Sequence, residues 1–165
     1  MTKTRILLVD DHPVVRKGVA GILSDRGDCE ICGQASTGRE GIAAAAQLGP
    51  DVVIMDICMP DMNGLEATRR ILKDRPQTEV LVLSMHESEQ LVRDVLACGA
   101  RGYVLKTDAG GELSAAVDAL RKHKVYFTSR VAEVVLRGYL TTGSGSPVEV
   151  RTGSELSPRE REIVQ

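Results

Sequence analysis

The sequence predicts an α/β domain built on a parallel sheet, and three observations carry that prediction. Short, continuous apolar runs recur from the first residues onward. Amphipathic helical patterns with recognisable ends separate them. Polar residues collect where the runs finish. Continuous apolar runs, as opposed to alternating ones, mark strands covered on both faces. Parallel neighbours need a crossover between them, which the helical patterns supply.

Arg5–Asp10 (RILLVD) is the first strand of this type. The helix after it follows Val15, Val19, Ile22 and Leu23, with Pro13 near its start and Gly27 past its end. Cys29–Ala35 is a weaker strand. Thr37-x-x-Glu40 opens the second helix, and Gly49-Pro50 stops it. Asp51–Asp56 is the third strand, and Asn63-x-x-Glu66 caps the helix that follows. Glu79–Ser84 leads to a helix marked by Leu91, Val95 and Cys98. Gly102–Lys106 leads to one marked by Leu113, Ala116, Val117 and Leu120.

These five strand–helix units fill residues 1–124, which are expected to form one domain ending near Lys124. Residues 125–154 follow as an extra helix and a flexible linker. The helix is expected at 129–140, capped by Ser129, with Val131, Val134 and Val135 as its apolar stripe. Thr141–Pro147 (TTGSGSP) reads as the linker. Residues 155–165 begin a new element, with Ser157, Pro158 and Glu160 forming a helix-start signature. They are expected to be the first residues of a second, truncated domain.

Composition narrows the function. The chain has 165 residues, 42% hydrophobic and 27% charged, which fits a folded core and excludes wholesale disorder. A net charge of −2 excludes nucleic-acid binding through bulk charge. Aromatic residues make up 2%, which excludes a stacking platform for single strands and leaves an aliphatic core. Cys29 and Cys32 form a C-x2-C, but no second pair or nearby histidine completes a zinc site. With Cys58 and Cys98 they read as free thiols of a cytoplasmic protein. No signal-peptide core is present, and no run approaches the ~18 apolar residues of a membrane span.

In open parallel sheets, ligands bind beyond the carboxyl ends of the strands. Asp10 and Asp11 follow the first strand, Asp56 ends the third, Ser84 the fourth and Lys106 the fifth. One strand-terminal Asp is an ordinary turn former; five chemically matched residues on one edge are not explained by capping. Carboxylates brought together raise one another's pKa unless a cation joins them. An all-oxygen set suits Mg2+, which keeps waters and meets phosphate. A lysine opposite would balance phosphoryl oxygens, a serine hydroxyl would add a hydrogen bond, and an aspartate there can be a nucleophile. The set reads as a phosphoryl-transfer site. His12, beside the acids, reads as a helix-entry residue, since Mg2+ prefers oxygen.

LLVDDHPVVRKG, DVVIMDICMPDMNGLEATRR, VLVLSMHE and GARGYVLK resemble the receiver domain of bacterial two-component response regulators, over roughly residues 4–124. KTDAGGELSAAVDAL and ELSPREREIV resemble the NarL/FixJ subfamily, whose output is a LuxR-type helix-turn-helix. The resemblance implies a flavodoxin-like fold: a five-stranded parallel sheet of order 2-1-3-4-5 with helices on both faces. It implies a switch protein and not an enzyme. Asp56 would be the phospho-acceptor for a histidine kinase, and Asp11 and Asp56 would hold Mg2+ directly. Asp10 would hold the ion through water, with the backbone carbonyl of Cys58 as a further ligand. Lys106 would pair with the phosphoryl group, Ser84 would swing toward it, and Tyr103 would turn inward. Partners would be the kinase, DNA through the complete output domain but not through residues 1–165 alone, and a second copy on phosphorylation; no membrane is implied. Thr107 stands where many receivers have proline, so the loop after Lys106 departs from the usual pattern. Cys58 and His86 occupy positions that in this family often tune dephosphorylation, the alternative being ordinary variable loop residues.

Other classes meet specific obstacles. An aspartyl-phosphate hydrolase of the haloacid-dehalogenase type carries a second Asp two positions after the nucleophile, where this chain has Cys58. A flavin carrier wants a Ser/Thr/Gly-rich loop after the first strand, where this chain reads Asp-Asp-His-Pro. A stand-alone receiver acting as a protein-interaction module, phosphorylated or not, remains the alternative.

Overall fold

The computed structural model describes residues 2–86 and 88–142. In chain order the elements are β1 (Thr4–Val9), α1 (Pro13–Ser24), β2 (Cys29–Ala35), α2 (Gly38–Leu48), β3 (Val52–Asp56), α3 (Gly64–Asp74), β4 (Glu79–Ser84), α4 (Glu89–Ala97), β5 (Gly102–Leu105), α5 (Ala109–Arg121), β6 (Tyr126–Phe127) and α6 (Ser129–Thr142). A single 3-10 turn, Lys106–Asp108, joins β5 to α5. The described peptide bonds are all trans, the Lys106–Thr107 bond included.

The sheet has six strands in the order β2-β1-β3-β4-β5-β6, all parallel. This corrects the expected five-stranded sheet. The order 2-1-3-4-5 holds, and a sixth strand is added beyond β5. Two residues, Tyr126 and Phe127, pair with Gly102 and Tyr103, too short a segment to show any periodicity in the sequence.

Alternate strand residues serve opposite faces, which is why each run is apolar throughout. Ile6, Leu8, Ile54, Leu83 and Val104 face α1 and α5, packing with Leu23, Leu113 and Leu120. Leu7, Val9, Val53, Met55, Val82 and Tyr103 face the other helices, packing with Leu65, Ile71 and Val95. Phe127 and Val131, past Lys124, are fully buried in this second half of the core.

Local signals place the helix ends. Thr37 accepts a hydrogen bond from the Glu40 amide (3.1 Å), while the Glu40 carboxylate reaches back to Ser36. Asn63 caps α3 through the amides of Leu65 and Glu66, and Ser88 caps α4 through that of Leu91. Gly49 ends α2 in the left-handed region (φ 59). α6 begins at Ser129 and runs two residues past the expected 140. The rest of the expected linker, and the helix start at 155–165, lie outside the described residues.

Candidate functional site

The first, third and fifth strands end on the same edge of the sheet, and their polar termini converge there. Asp56 closes β3 at the centre of the sheet with its side chain 4% exposed. Asp10 follows β1 immediately, its side chain 7% exposed. The Asp10 amide donates to the Ala35 carbonyl across to β2 (3.0 Å), and its own carbonyl accepts from Arg16 of α1. Two elements therefore hold the turn that presents Asp10 and Asp11. Lys106, at the end of β5, sends its ammonium between the acids. Its Nζ lies 3.1 Å from Asp10 Oδ2 and 3.1 Å from Asp56 Oδ1.

One cation among three carboxylates does not neutralise them. Burial pushes the Asp56 carboxyl above its ordinary range, and the Asp10 charge adds to this; the hydrogen bond and charge of Lys106 only partly oppose it. Burial also works against the Lys106 ammonium, but hydrogen bonds to Asp56 and Asp10 outweigh it and raise that pKa. Asp56 Oδ2 is buried with no hydrogen-bond partner among the described residues. A buried carboxylate oxygen without a partner is costly, and a cation is the ligand that removes that cost. The donor atoms of Asp10, Asp11, His12 and Asp56 lie within 4.8 Å of one another. These residues fit a hard divalent ion such as Mg2+.

Behind Asp56 the chain is held closely. The Gly64 amide donates to the Ile57 carbonyl (2.8 Å), and a Cβ on Gly64 would lie 2.0 Å from the Asp56 carbonyl oxygen. Any side chain there would displace the acceptor strand's end, so glycine is required by contact and not by its φ. Cys58 is exposed in the loop between β3 and α3. Asp61, in the same loop, accepts from the Gly38 and Arg39 amides at the start of α2 (2.9 and 3.0 Å). Those two bonds hold its carboxyl below the ordinary range. They tie the loop bearing Cys58 to α2, a role the sequence reading missed because the partners lie over twenty residues away.

Ser84 and Tyr103 meet at one residue, His86. Ser84 Oγ accepts from the His86 amide at 3.0 Å, and the Tyr103 hydroxyl donates to the His86 carbonyl. Tyr103 is fully buried, so in this structure it already points inward. His12 stands at the entry to α1, as expected. It is the N-cap of α1 by backbone position, yet its side chain makes no capping bond. Its Nδ1 lies 2.9 Å from Asp11 Oδ1 and 3.1 Å from Asp10 Oδ1. The Asp-Asp-His sequence was its only signal. A groove of about 910 Å³ opens at the opposite end of the sheet, lined by Lys3, Asp51, Glu79, Arg121 and His123, and none of Asp10, Asp11, Asp56, Ser84 and Lys106 lines it. No described helix is long and apolar enough to cross a membrane.

Comparison with known proteins agrees with this geometry. Residues 6–118 match the family model described as the response regulator receiver domain. The chain is 38% identical over 153 residues to the transcriptional regulatory protein LiaR of Bacillus subtilis (strain 168), covering 92% of this chain and 72% of LiaR. It is 42% identical over 118 residues to the response regulator protein VraR of Staphylococcus aureus, covering 72% of this chain and 55% of VraR. A two-component response regulator of the LuxR family from Aurantimonas sp. SI85-9A1 superposes with TM-score 0.81 at 29% identity, over 84% of this chain and 99% of that one. The isolated receiver domain of RcsB from Salmonella enterica serovar Typhimurium, solved with the phosphomimetic BeF3-, gives TM-score 0.75 at 26% identity, over 81% and 99%. A receiver model matching most of the chain and a relative this similar along nearly all of it assign the protein to the response regulators of two-component signalling, in the LuxR/NarL-type branch.

Proposed function

We propose that Asp56 is the phospho-acceptor of this receiver and that its phosphorylation switches a DNA-binding output domain. The observation carrying this is the Asp56 carboxylate, buried at the sheet's edge beside Lys106 with Oδ2 unpaired among the described residues. A histidine kinase presents a phosphohistidine. An Asp56 carboxylate oxygen forms the new O–P bond as the N–P bond breaks, and the electron pair stays with the imidazole. Asp11 and Asp56 would hold Mg2+ directly and Asp10 through water, with the Cys58 carbonyl as a further ligand. The bound ion neutralises phosphoryl charge. Lys106 already stands where a phosphoryl oxygen on Asp56 would need a cation.

The switch follows from the shared residue, His86. If Ser84 turns toward a phosphoryl oxygen, it releases the His86 amide, while Tyr103 still holds the His86 carbonyl. The loop into α4 thus senses the charge on Asp56, a local electrostatic change biasing a two-state element. Domain assignments belong to this reading: a receiver over 1–124, the α6 segment and linker over 125–154, and the first residues of a LuxR-type helix-turn-helix from 155. So do DNA binding by the complete output domain and not by this chain alone, dimerisation on phosphorylation, a non-enzymatic role and a cytoplasmic setting.

Intact-mass spectrometry after incubation with Mg2+ and acetyl phosphate tests it. One added phosphoryl group is expected, absent in Asp56→Asn and without the metal. A modification that persists in Asp56→Asn would refute the assignment. No modification, together with no NMR response to beryllofluoride at Tyr103, would instead favour the stand-alone interaction module.

A further inference from the structure

We infer that His12 is a ligand of the divalent-cation site, through its imidazole Nδ1, and that it turns the site toward later first-row dications such as Co2+ relative to Mg2+. This rests on the acidic cluster being the cation site, as proposed above.

The position of the ring is the first argument. As the N-cap of α1 (φ −100, ψ 109), His12 stands where a side chain ordinarily turns back to the helix amides. It makes no such bond and faces the acids instead. The backbone contributes to this placement: the His12 amide donates to Asp10 Oδ1 at 2.8 Å, closing the turn. Arg16 of α1, one turn further on, holds the Asp10 carbonyl.

The spacing is the second argument. Neighbouring ligands of an octahedral ion with bonds near 2.1 Å stand about 3.0 Å apart, and opposite ones about 4.2 Å. His12 Nδ1 is 2.9 Å from Asp11 Oδ1, the separation of adjacent ligands, and 3.1 Å from Asp10 Oδ1, the carboxylate that holds the ion through water. The donor atoms of all four residues fall within 4.8 Å, and the buried Asp56 Oδ2, unpaired among the described residues, marks a cation site independently of the histidine.

Chemistry then sets the preference. Mg2+ gains little from nitrogen, whereas imidazole suits the transition dications, whose affinities for such ligands rise along the row. A site of carboxylates plus one imidazole therefore discriminates differently from a site of oxygens alone.

Mn2+ is the spectroscopic probe. Pulsed EPR of the Mn2+-loaded chain carrying 15N-labelled histidine should show a nitrogen coupling, and His12→Ser should abolish it. Serine is a preferred N-cap, so the variant keeps the start of α1. Displacement of Mn2+ by Co2+ and by Mg2+ gives the selectivity, and His12→Ser should lower the Co2+-to-Mg2+ affinity ratio about tenfold. Mn2+ that binds without nitrogen coupling, coupling that survives in His12→Ser, or an unchanged ratio would overturn the role of His12 while leaving the acidic site intact. If no Mn2+ binding is found that Asp11→Asn weakens, the acidic site itself is wrong.

Discussion

Lys106 Nζ stands 3.1 Å from Asp56 Oδ1, and the same ammonium is 3.1 Å from Asp10 Oδ2. The lysine is thus shared by two buried acids and holds the ends of β1, β3 and β5 together. Removing it should leave both carboxylates uncompensated, which costs about 3 kcal/mol for a buried pair that loses one partner. Lys106→Met is expected to lose roughly that much stability in metal-free urea titrations, and saturating Mg2+ should restore part of it. Asp11→Asn should act in the opposite direction. Asp11 adds to the repulsion on Asp56 without touching Lys106, so its neutralisation should raise the metal-free melting temperature by about 2–4 °C if it relieves about 1 kcal/mol. A lower melting temperature for Asp11→Asn would show that the acids are not in conflict.

The strand and helix beyond Lys124 are part of the same packed body. Phe127 lies opposite Tyr103 in the β5–β6 register, and both are fully buried. Val131 is buried beside them in the cluster that contains Val92 and Val95 of α4. A chain ended at residue 124 would open that core and uncover Tyr103. Phe127→Ala should cost about 3–5 kcal/mol, the usual range for a buried aromatic, and truncation at 124 at least as much. Chemical denaturation of both variants checks this. A truncated chain as stable as the parent would mean that β6 and α6 add nothing to the receiver's core.

Away from the site a charged cluster ties the loop between α1 and β2 to α5. Arg26 bonds Asp28 (2.8 Å) and Asp118 (2.5 Å), and Arg121 also reaches Asp28 (3.0 Å). The hydrogen bond from Arg26 holds the Asp28 carboxyl down to about 2. Between that value and the ordinary ~3.9 of an unfolded chain, the unfolded state binds more protons, so stability rises with pH. The contribution is fully present above pH ~4 and lost as pH falls through about 2. Asp28→Asn should flatten that acid limb and leave the neutral-pH dependence unchanged. An identical acid limb in the variant would mean that the pairing does not persist in solution.

Much of the molecule was legible in the sequence because its signals are local. The five longer strands are continuous apolar runs, Thr37 and Asn63 cap the helices they precede, and Gly49 stops α2. β6 escaped because two residues carry no period, and its burial depends on the edge that β5 offers. Asp61 escaped for a related reason: a polar residue in a loop looks solvated until the amides of α2 are brought to it.

The candidate site divides along the same line. Which side chains stand at the carboxyl ends of the strands is readable locally, because strand length and a period of two place Asp10, Asp56, Ser84 and Lys106 without reference to the rest of the chain. What those side chains do to one another follows from how the strands pack. Strand order brings Lys106 from β5 between acids that follow β1 and end β3, leaves Asp56 Oδ2 unpaired among the described residues, and turns His12 away from its helix toward Asp10 and Asp11. Distances of this kind depend on how strands from separate parts of the chain pack side by side, which local sequence patterns do not encode.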